Sequence, residues 1–237
     1  LWSLCRGPKT LVLHGIAPKN LLTPLLLRLF GHKLVYIHFG GPCYHKMIRL
    51  MTWRFMDKIA VLMSPELRYW SFVPKKDIVV LQSYPRSQSA SFPELSTREQ
   101  KDVMLLGNSS WSLPYYRHFL DKLIPKGWSQ IICMLNYGRE NEIDKVEAFV
   151  EEYSNRLGKI FTPWKTTIPY VQYQRCVETP MFYVCPCRTQ TGLGALYLSI
   201  YLGHTIFLAG DNYAWARALG IDVYDLDDYS EISYDLF

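Results

Sequence analysis

The segment Arg188-Thr189-Gln190-Thr191-Gly192-Leu193-Gly194 lies between the apolar run 181–187 and the largely apolar run 195–202. An apolar strand, a short polar loop with two glycines and then a helix is an arrangement that aims backbone N–H groups and a helix dipole at an anion. Arg188 adds a guanidinium beside those donors, which is chemistry suited to a phosphate or pyrophosphate. The spacing Gly192-x-Gly194-x-x-Tyr197 lacks the third glycine of a dinucleotide fingerprint and the Lys-Ser/Thr of a P-loop. Taken alone, the loop is equally compatible with an ordinary strand-to-helix turn.

Other loops of the same kind compete for one ligand. Gly107-Asn108-Ser109 offers a tight turn, an amide and a hydroxyl at a helix entrance. Tyr137-Gly138 sets an aromatic face beside a small residue, suitable for stacking on a base. Asp211 and Asn212 bring acceptors for ribose or sugar hydroxyls. Near the start of the chain, two predicted strands each finish on a histidine, His14 before Gly15 and His38 shortly before Gly40-Gly41. An imidazole titrates near neutral pH and suits general-base work, although a lone histidine is more often structural.

These residues need a scaffold, and the chain alternates strand and helix patterns. Strands are expected over 9–14 and 33–38, with a helix over 20–30 between them, capped by Asn20 and stopped at Gly31. Residues 45–63 have helical periodicity, with basic and apolar stripes, and 59–63 allow a strand that ends at Ser64-Pro65-Glu66. A short apolar run at 77–82 is followed by serine- and proline-rich sequence with little periodicity. That composition places a linker at 83–100 between a first domain, 1–82, and a second, 101–237. In the second, strands are expected at 103–106, 130–135, 159–162, 181–187 and 205–208. Helices are expected at 114–123, 142–157, 168–177 and 192–202. The pattern is α/β, a mostly parallel Rossmann-like sheet with helices on both faces. In such sheets ligands collect at the carboxyl ends of the strands, where all the candidate loops lie.

The composition is globular, with 49% hydrophobic and 20% charged residues in 237. Charge is uneven: residues 1–100 hold 14 Lys and Arg against 5 Asp and Glu, and residues 101–237 hold 12 against 16. The basic N-terminal half fits an anionic partner or a membrane surface on that side, or simply a solubilising face. The six cysteines have no paired C-x-x-C spacing, which reads as reduced cytoplasmic usage. Cys185-Pro186-Cys187 reads as buried strand rather than a metal site. No apolar run approaches the roughly 20 residues that span a bilayer.

The order of these elements resembles a known family. Gly107-Asn108-Ser109 after a strand, Tyr137 after the next, Arg188-x-Gln190-x-Gly192-x-Gly194 and Asn212-x-x-Trp215 are similar to the TDP-N-acetylfucosamine:lipid II N-acetylfucosaminyltransferase family of enterobacterial common antigen assembly. His14-Gly15, His38-x-x-Gly41 and Tyr84-Pro85 extend the resemblance over nearly the whole chain. It implies a GT-B-like fold, two Rossmann-like parallel-sheet domains facing across a cleft, with the N-terminal one incomplete. Family members extend beyond both ends, so a piece of a longer chain is expected.

The activity implied is transfer of a deoxy or amino sugar from a nucleoside-diphosphate donor, such as a TDP-sugar, to a lipid-pyrophosphate-linked or polysaccharide acceptor. No metal, cofactor or nucleic acid is expected. The implied location is the cytoplasm, peripheral on the anionic inner face of the plasma membrane. By the resemblance Asn108, Ser109, Arg188, Gln190, Gly192 and Gly194 hold the diphosphate and sugar, and Tyr137, Asp211 and Asn212 complete the donor site. His14 or His38 takes the acceptor proton. One departure is Cys43, which stands where the family pattern has an acidic residue. A nucleotide-sugar epimerase or hydrolase on the same scaffold, or a non-catalytic glycan-assembly protein, are the competing readings.

Overall fold

A computed structural model describes residues 7–14, 22–38, 46–81, 102–107, 113–122, 127–136, 143–166, 169–178 and 182–229. The chain divides into two compact units, Leu1–Arg86 and Ser87–Phe237. The linker expected at 83–100 lies outside the described residues.

The first unit runs β1 (Thr10–His14), α1 (Leu22–Leu29), β2 (Lys33–Ile37), α2 (Lys46–Phe55), β3 (Lys58–Val61), a 3-10 segment (Ser64–Trp70) and β4 (Ile78–Val80). The strands form one sheet in the order β1-β2-β3-β4, every pair parallel. Its core is built by Leu34 and Tyr36 of β2, Ile59 and Val61 of β3, and Met56, Trp70 and Val73. The helical periodicity expected through 63 stops at Phe55, and Ile59 belongs to a strand. Asp57 supplies the reason. Its N–H donates to Leu34 O at 2.8 Å, and its carboxylate accepts from Leu34 N at 2.7 Å and from the Arg28 guanidinium at 2.8 Å. Those bonds fix the chain to the start of β2 and end the helix before it.

The second unit runs β5 (Val103–Leu106), α3 (Leu113–Lys122), β6 (Gln130–Met134), α4 (Ile143–Leu157), β7 (Phe161–Trp164), α5 (Tyr170–Glu178), β8 (Phe182–Cys185), α6 (Leu193–Tyr201), β9 (Thr205–Leu208), α7 (Gly210–Ala218) and β10 (Tyr224–Asp225). The sheet order is β10-β9-β8-β5-β6-β7, again entirely parallel. The central strands β5 and β8 are buried at every position, as a parallel sheet covered on both faces requires. On α4, Val146, Phe149 and Tyr153 recur at helical spacing and enter the core, while Arg156 pairs with Asp121 on the solvent side at 2.5 Å.

Helix α7 and strand β10 go beyond the elements expected from the pattern. Strand β10 has only two residues, and the buried face of α7 mixes Asp211 and Asn212 with Trp215 and Ala216. No one-sided apolar stripe announces such a helix.

Candidate functional site

The strand order of the second sheet switches at β5. Strands β6 and β7 are added on one side of it, and β8, β9 and β10 on the other. In open parallel sheets a ligand lies in the crevice at the carboxyl ends of the strands where the order switches. Here that is between β5 and β8, whose following loops carry Gly107 and Arg188. The two strands are joined up to this edge, where Gly107 N–H donates to Val184 O at 2.7 Å. A Cβ on Gly107 would overlap the phenol of Tyr116, which reaches over from α3 and donates to Met134 O at 3.4 Å. Glycine is needed there for packing. The next residues, Asn108 and Ser109, and Tyr137 after β6, lie outside the described residues.

The loop after β8 is clamped onto the start of α7. Ala209 N–H donates to Cys185 O at 3.3 Å, and Asp211 N–H donates to Arg188 O at 3.0 Å. Gly210 has φ +57, and a Cβ there would stand 2.6 Å from Arg188 Cα and 2.7 Å from its carbonyl carbon. Backbone meets backbone at this contact, so no side chain can move aside. Asn212 is fully buried. Its Nδ2 donates to Thr191 O at 2.8 Å and lies 3.5 Å from Cys185 Sγ, while its Oδ1 accepts from Thr191 N at 3.4 Å. The side chain therefore braces the loop. Asp211 and Gln190 are buried too, so among the expected donor-site residues of this loop Arg188 is the side chain that stands exposed.

Helix α6 begins at this braced loop. Gly192, in the left-handed region at φ 67, is its N-cap and contributes no side-chain bond. The first intrahelical bond comes from Leu196 N–H to Gly192 O, so the N–H groups of the first turn have no acceptor within the helix. No acidic side chain occupies that turn either. Gly194 has an ordinary φ and open space where its Cβ would be. Nothing within the chain demands glycine at this point. Edge-on packing of Tyr197 against Trp215, ring centroids 5.5 Å apart, holds α6 to α7.

Arg188 reaches the Asp227 carboxylate at 2.6 Å, with the two side chains 58% and 49% exposed. An exposed pair of this kind contributes about 0–1 kcal/mol, so a multiply charged anion can take the guanidinium from it. Asp227 was not visible as a site residue in the sequence, because it lies 39 positions away and beyond the two-residue strand β10.

In the first unit, β1 and β2 are adjacent and parallel, with His14 opposite Ile37, so His14 and His38 do end neighbouring strands on one edge. Their surroundings differ. His14 is exposed, whereas His38 is fully buried, packed edge-on against Trp70 at 5.5 Å. Burial first, and the charge of Arg49 second, hold the His38 imidazole down at about 4, which keeps it neutral at pH 7. Glu66 Oε1 stands 3.5 Å from His38 Nε2, and Glu66 Oε2 accepts from Leu62 N and Met63 N at 3.1 Å each. That carboxylate closes the end of β3, a role that follows from Ser64-Pro65-Glu66 starting a 3-10 segment. Cys43 lies outside the described residues. Among the described residues no group of three or more His, Cys, Asp or Glu could hold a metal ion, and no helix is long and apolar enough to cross a membrane.

No protein-family model matches the sequence, and no curated protein matches it. Solved structures do share the fold. The chain is similar to Anabaena HepE in complex with UDP, with a TM-score of 0.57 and 11% identity over 86% of this chain and 61% of that one. It is similar to α,α-trehalose 6-phosphate synthase from Burkholderia multivorans, with a TM-score of 0.59 and 11% identity over 95% of this chain and 61% of that one. It is also similar to S. aureus TarM in complex with Fondaparinux, alpha-GlcNAc-glycerol and UDP, with a TM-score of 0.55 and 10% identity over 91% and 45%. The chain thus spans about three-fifths of the length of the first two. The fold is α/β and GT-B-like, with two Rossmann-like parallel-sheet units.

Proposed function

We propose that this chain belongs to a glycosyltransferase that uses a nucleoside-diphosphate sugar, and that the donor diphosphate binds at the switch point between β5 and β8. The observation that carries this reading is the first turn of α6. Its N–H groups lack intrahelical acceptors, a glycine without structural cause sits among them, and Arg188 stands at the same loop. The GT-B-like fold supports it, as does the presence of UDP in two of the similar structures.

In this reaction an acceptor hydroxyl oxygen bonds to the anomeric carbon while the bond from that carbon to the diphosphate oxygen breaks. Negative charge grows on the leaving diphosphate, where the α6 N-terminus and Arg188 neutralise it. The acceptor proton passes to a base. Exposed His14 fits that task better than His38, which is buried in the first unit. The donor is a deoxy or amino sugar on UDP or TDP. The acceptor is a lipid-linked or polysaccharide glycan of the bacterial surface, met by a chain that lies peripherally on the inner face of the membrane. The basic N-terminal half favours such an acceptor.

Calorimetry with UDP and TDP tests the donor site. Arg188→Ala is expected to weaken binding by about tenfold or more, the worth of a charge-assisted contact, with an unchanged circular dichroism spectrum. Equal affinity in the variant would remove the proposal. Release of free sugar or of an epimer without any acceptor would point to a hydrolase or epimerase instead.

A further inference from the structure

Helix α1 is apolar on opposite sides. Pro24 is buried and Leu27 packs on the core of the first unit. Leu22, Leu25, Leu26 and Leu29 are 63%, 36%, 46% and 74% exposed. Their spacing is that of a single helical stripe, and at about 100° per residue it faces roughly half a turn away from Pro24 and Leu27. Phe30, 62% exposed, prolongs the stripe past the end of the helix. One exposed leucine means nothing, but a contiguous stripe marks an interaction surface.

The surrounding charge identifies the kind of surface it meets. No Asp or Glu occurs in the sequence before Asp57, whereas the first 56 residues contain eight Lys and Arg. Lys9 and Lys33 are exposed just beyond Phe30, with Lys33 N–H donating to Lys9 O at 2.8 Å. Arg28, the sole charged residue of α1, is paired with the Asp57 carboxylate at 2.8 Å, so the cations left for a lipid surface are the lysines. Leucines flanked by cations of one sign, on a helix of eight residues, suit a helix that lies in a headgroup layer. The helix is far short of the roughly 20 residues that span a bilayer.

We propose that the Leu22-Leu25-Leu26-Leu29-Phe30 face of α1 docks the chain on an anionic lipid bilayer. The leucines enter the boundary between headgroups and acyl chains, and the neighbouring cations meet lipid phosphates. This rests on the peripheral placement proposed above and names the surface responsible for it. The donor site is elsewhere, so nucleotide calorimetry and vesicle binding fail separately.

Co-sedimentation with vesicles of phosphatidylcholine containing about one-third phosphatidylglycerol, in about 0.1 M salt, tests the docking face. The wild-type chain is expected to bind them about tenfold or more better than pure phosphatidylcholine vesicles. Leu26→Glu/Leu29→Glu is expected to lose about tenfold or more of that binding while keeping its circular dichroism spectrum and its affinity for UDP or TDP. Leu29→Ser/Phe30→Ser gives the same answer if the glutamates disturb the helix. The proposal is overturned if wild type does not bind the anionic vesicles. Variants that bind as wild type does would also overturn it. So would analytical ultracentrifugation showing a wild-type dimer that the variants dissociate, since a second copy then covers the stripe.

Discussion

Gly194 has no structural need to be glycine: its backbone angle is ordinary and nothing lies within 4 Å of its absent Cβ. A glycine inside a helix destabilises it by about 0.5–1 kcal/mol relative to alanine. What it offers instead is close approach to the N–H groups of the first turn. Gly194→Ala is therefore expected to raise the unfolding free energy by up to about 1 kcal/mol and to weaken UDP or TDP binding about tenfold. Urea unfolding and calorimetry measure the two effects, and their opposite signs are the test. A stabilised variant with unchanged affinity would mean that no anion approaches this turn. Asp227 acts on the same site through charge. Asp227→Asn frees Arg188 and removes a negative group facing the diphosphate, so affinity is expected to rise by about two- to fivefold. Weaker binding would instead mean that Asp227 contacts the ligand itself. Arg188 was legible in the sequence because it opens a polar loop between two apolar runs. Asp227 was not, because its proximity depends on β10 pairing alongside β9.

At the scale of elements, the 188–192 loop is held by α7. Gly210→Ala forces a side chain against the Arg188 backbone at a left-handed φ, and is expected to cost about 2 kcal/mol or more together with most of the nucleotide affinity. Asn212→Ala leaves Thr191 N–H and C=O without their side-chain partner, at a cost of about 1–3 kcal/mol, and weakens binding only through the loosened loop. Its affinity loss should be smaller than that of Arg188→Ala. Calorimetry on the three variants checks the ranking, and an Asn212→Ala loss as large as that of Arg188→Ala would make the amide a direct ligand contact. Much of this architecture was readable from pattern. The continuously apolar β5 and β8, the long amphipathic α4 and the strand-loop-helix around Arg188 all follow from local periodicity. Strand order was not readable, because periodicity does not say on which side of β5 strand β8 is added. Likewise α7 escaped because the polar residues it buries are those that clamp the loop, and the end of α2 depends on bonds between Asp57 and a distant strand.

Among the described residues the core of the first unit packs against a buried histidine. His38 is held at about 4 by burial, then by Arg49, against an ordinary 6.5. Between those values the unfolded chain has bound a proton that the folded chain refuses, so stability must rise with pH across this window. The contribution is complete above about pH 6.5 and is lost as pH falls toward about 4, with the nearby Glu66 carboxylate opposing part of the shift. The effect belongs to the first unit, because His38 packs there against Tyr36 and Trp70. Urea unfolding followed between about pH 4 and about pH 7.5 is expected to show a steep decline in wild type below about 6.5. His38→Gln, with no proton to take up, is expected to start less stable at neutral pH and to decline less steeply, so that the two curves converge on acidification. Parallel curves would mean that His38 titrates alike in the folded and unfolded chains and is not shielded by the fold. Convergence would make mild acid a selective lever on the unit that carries both the exposed His14 and the leucine face of α1. Vesicle binding should then weaken in acid before the second unit gives way.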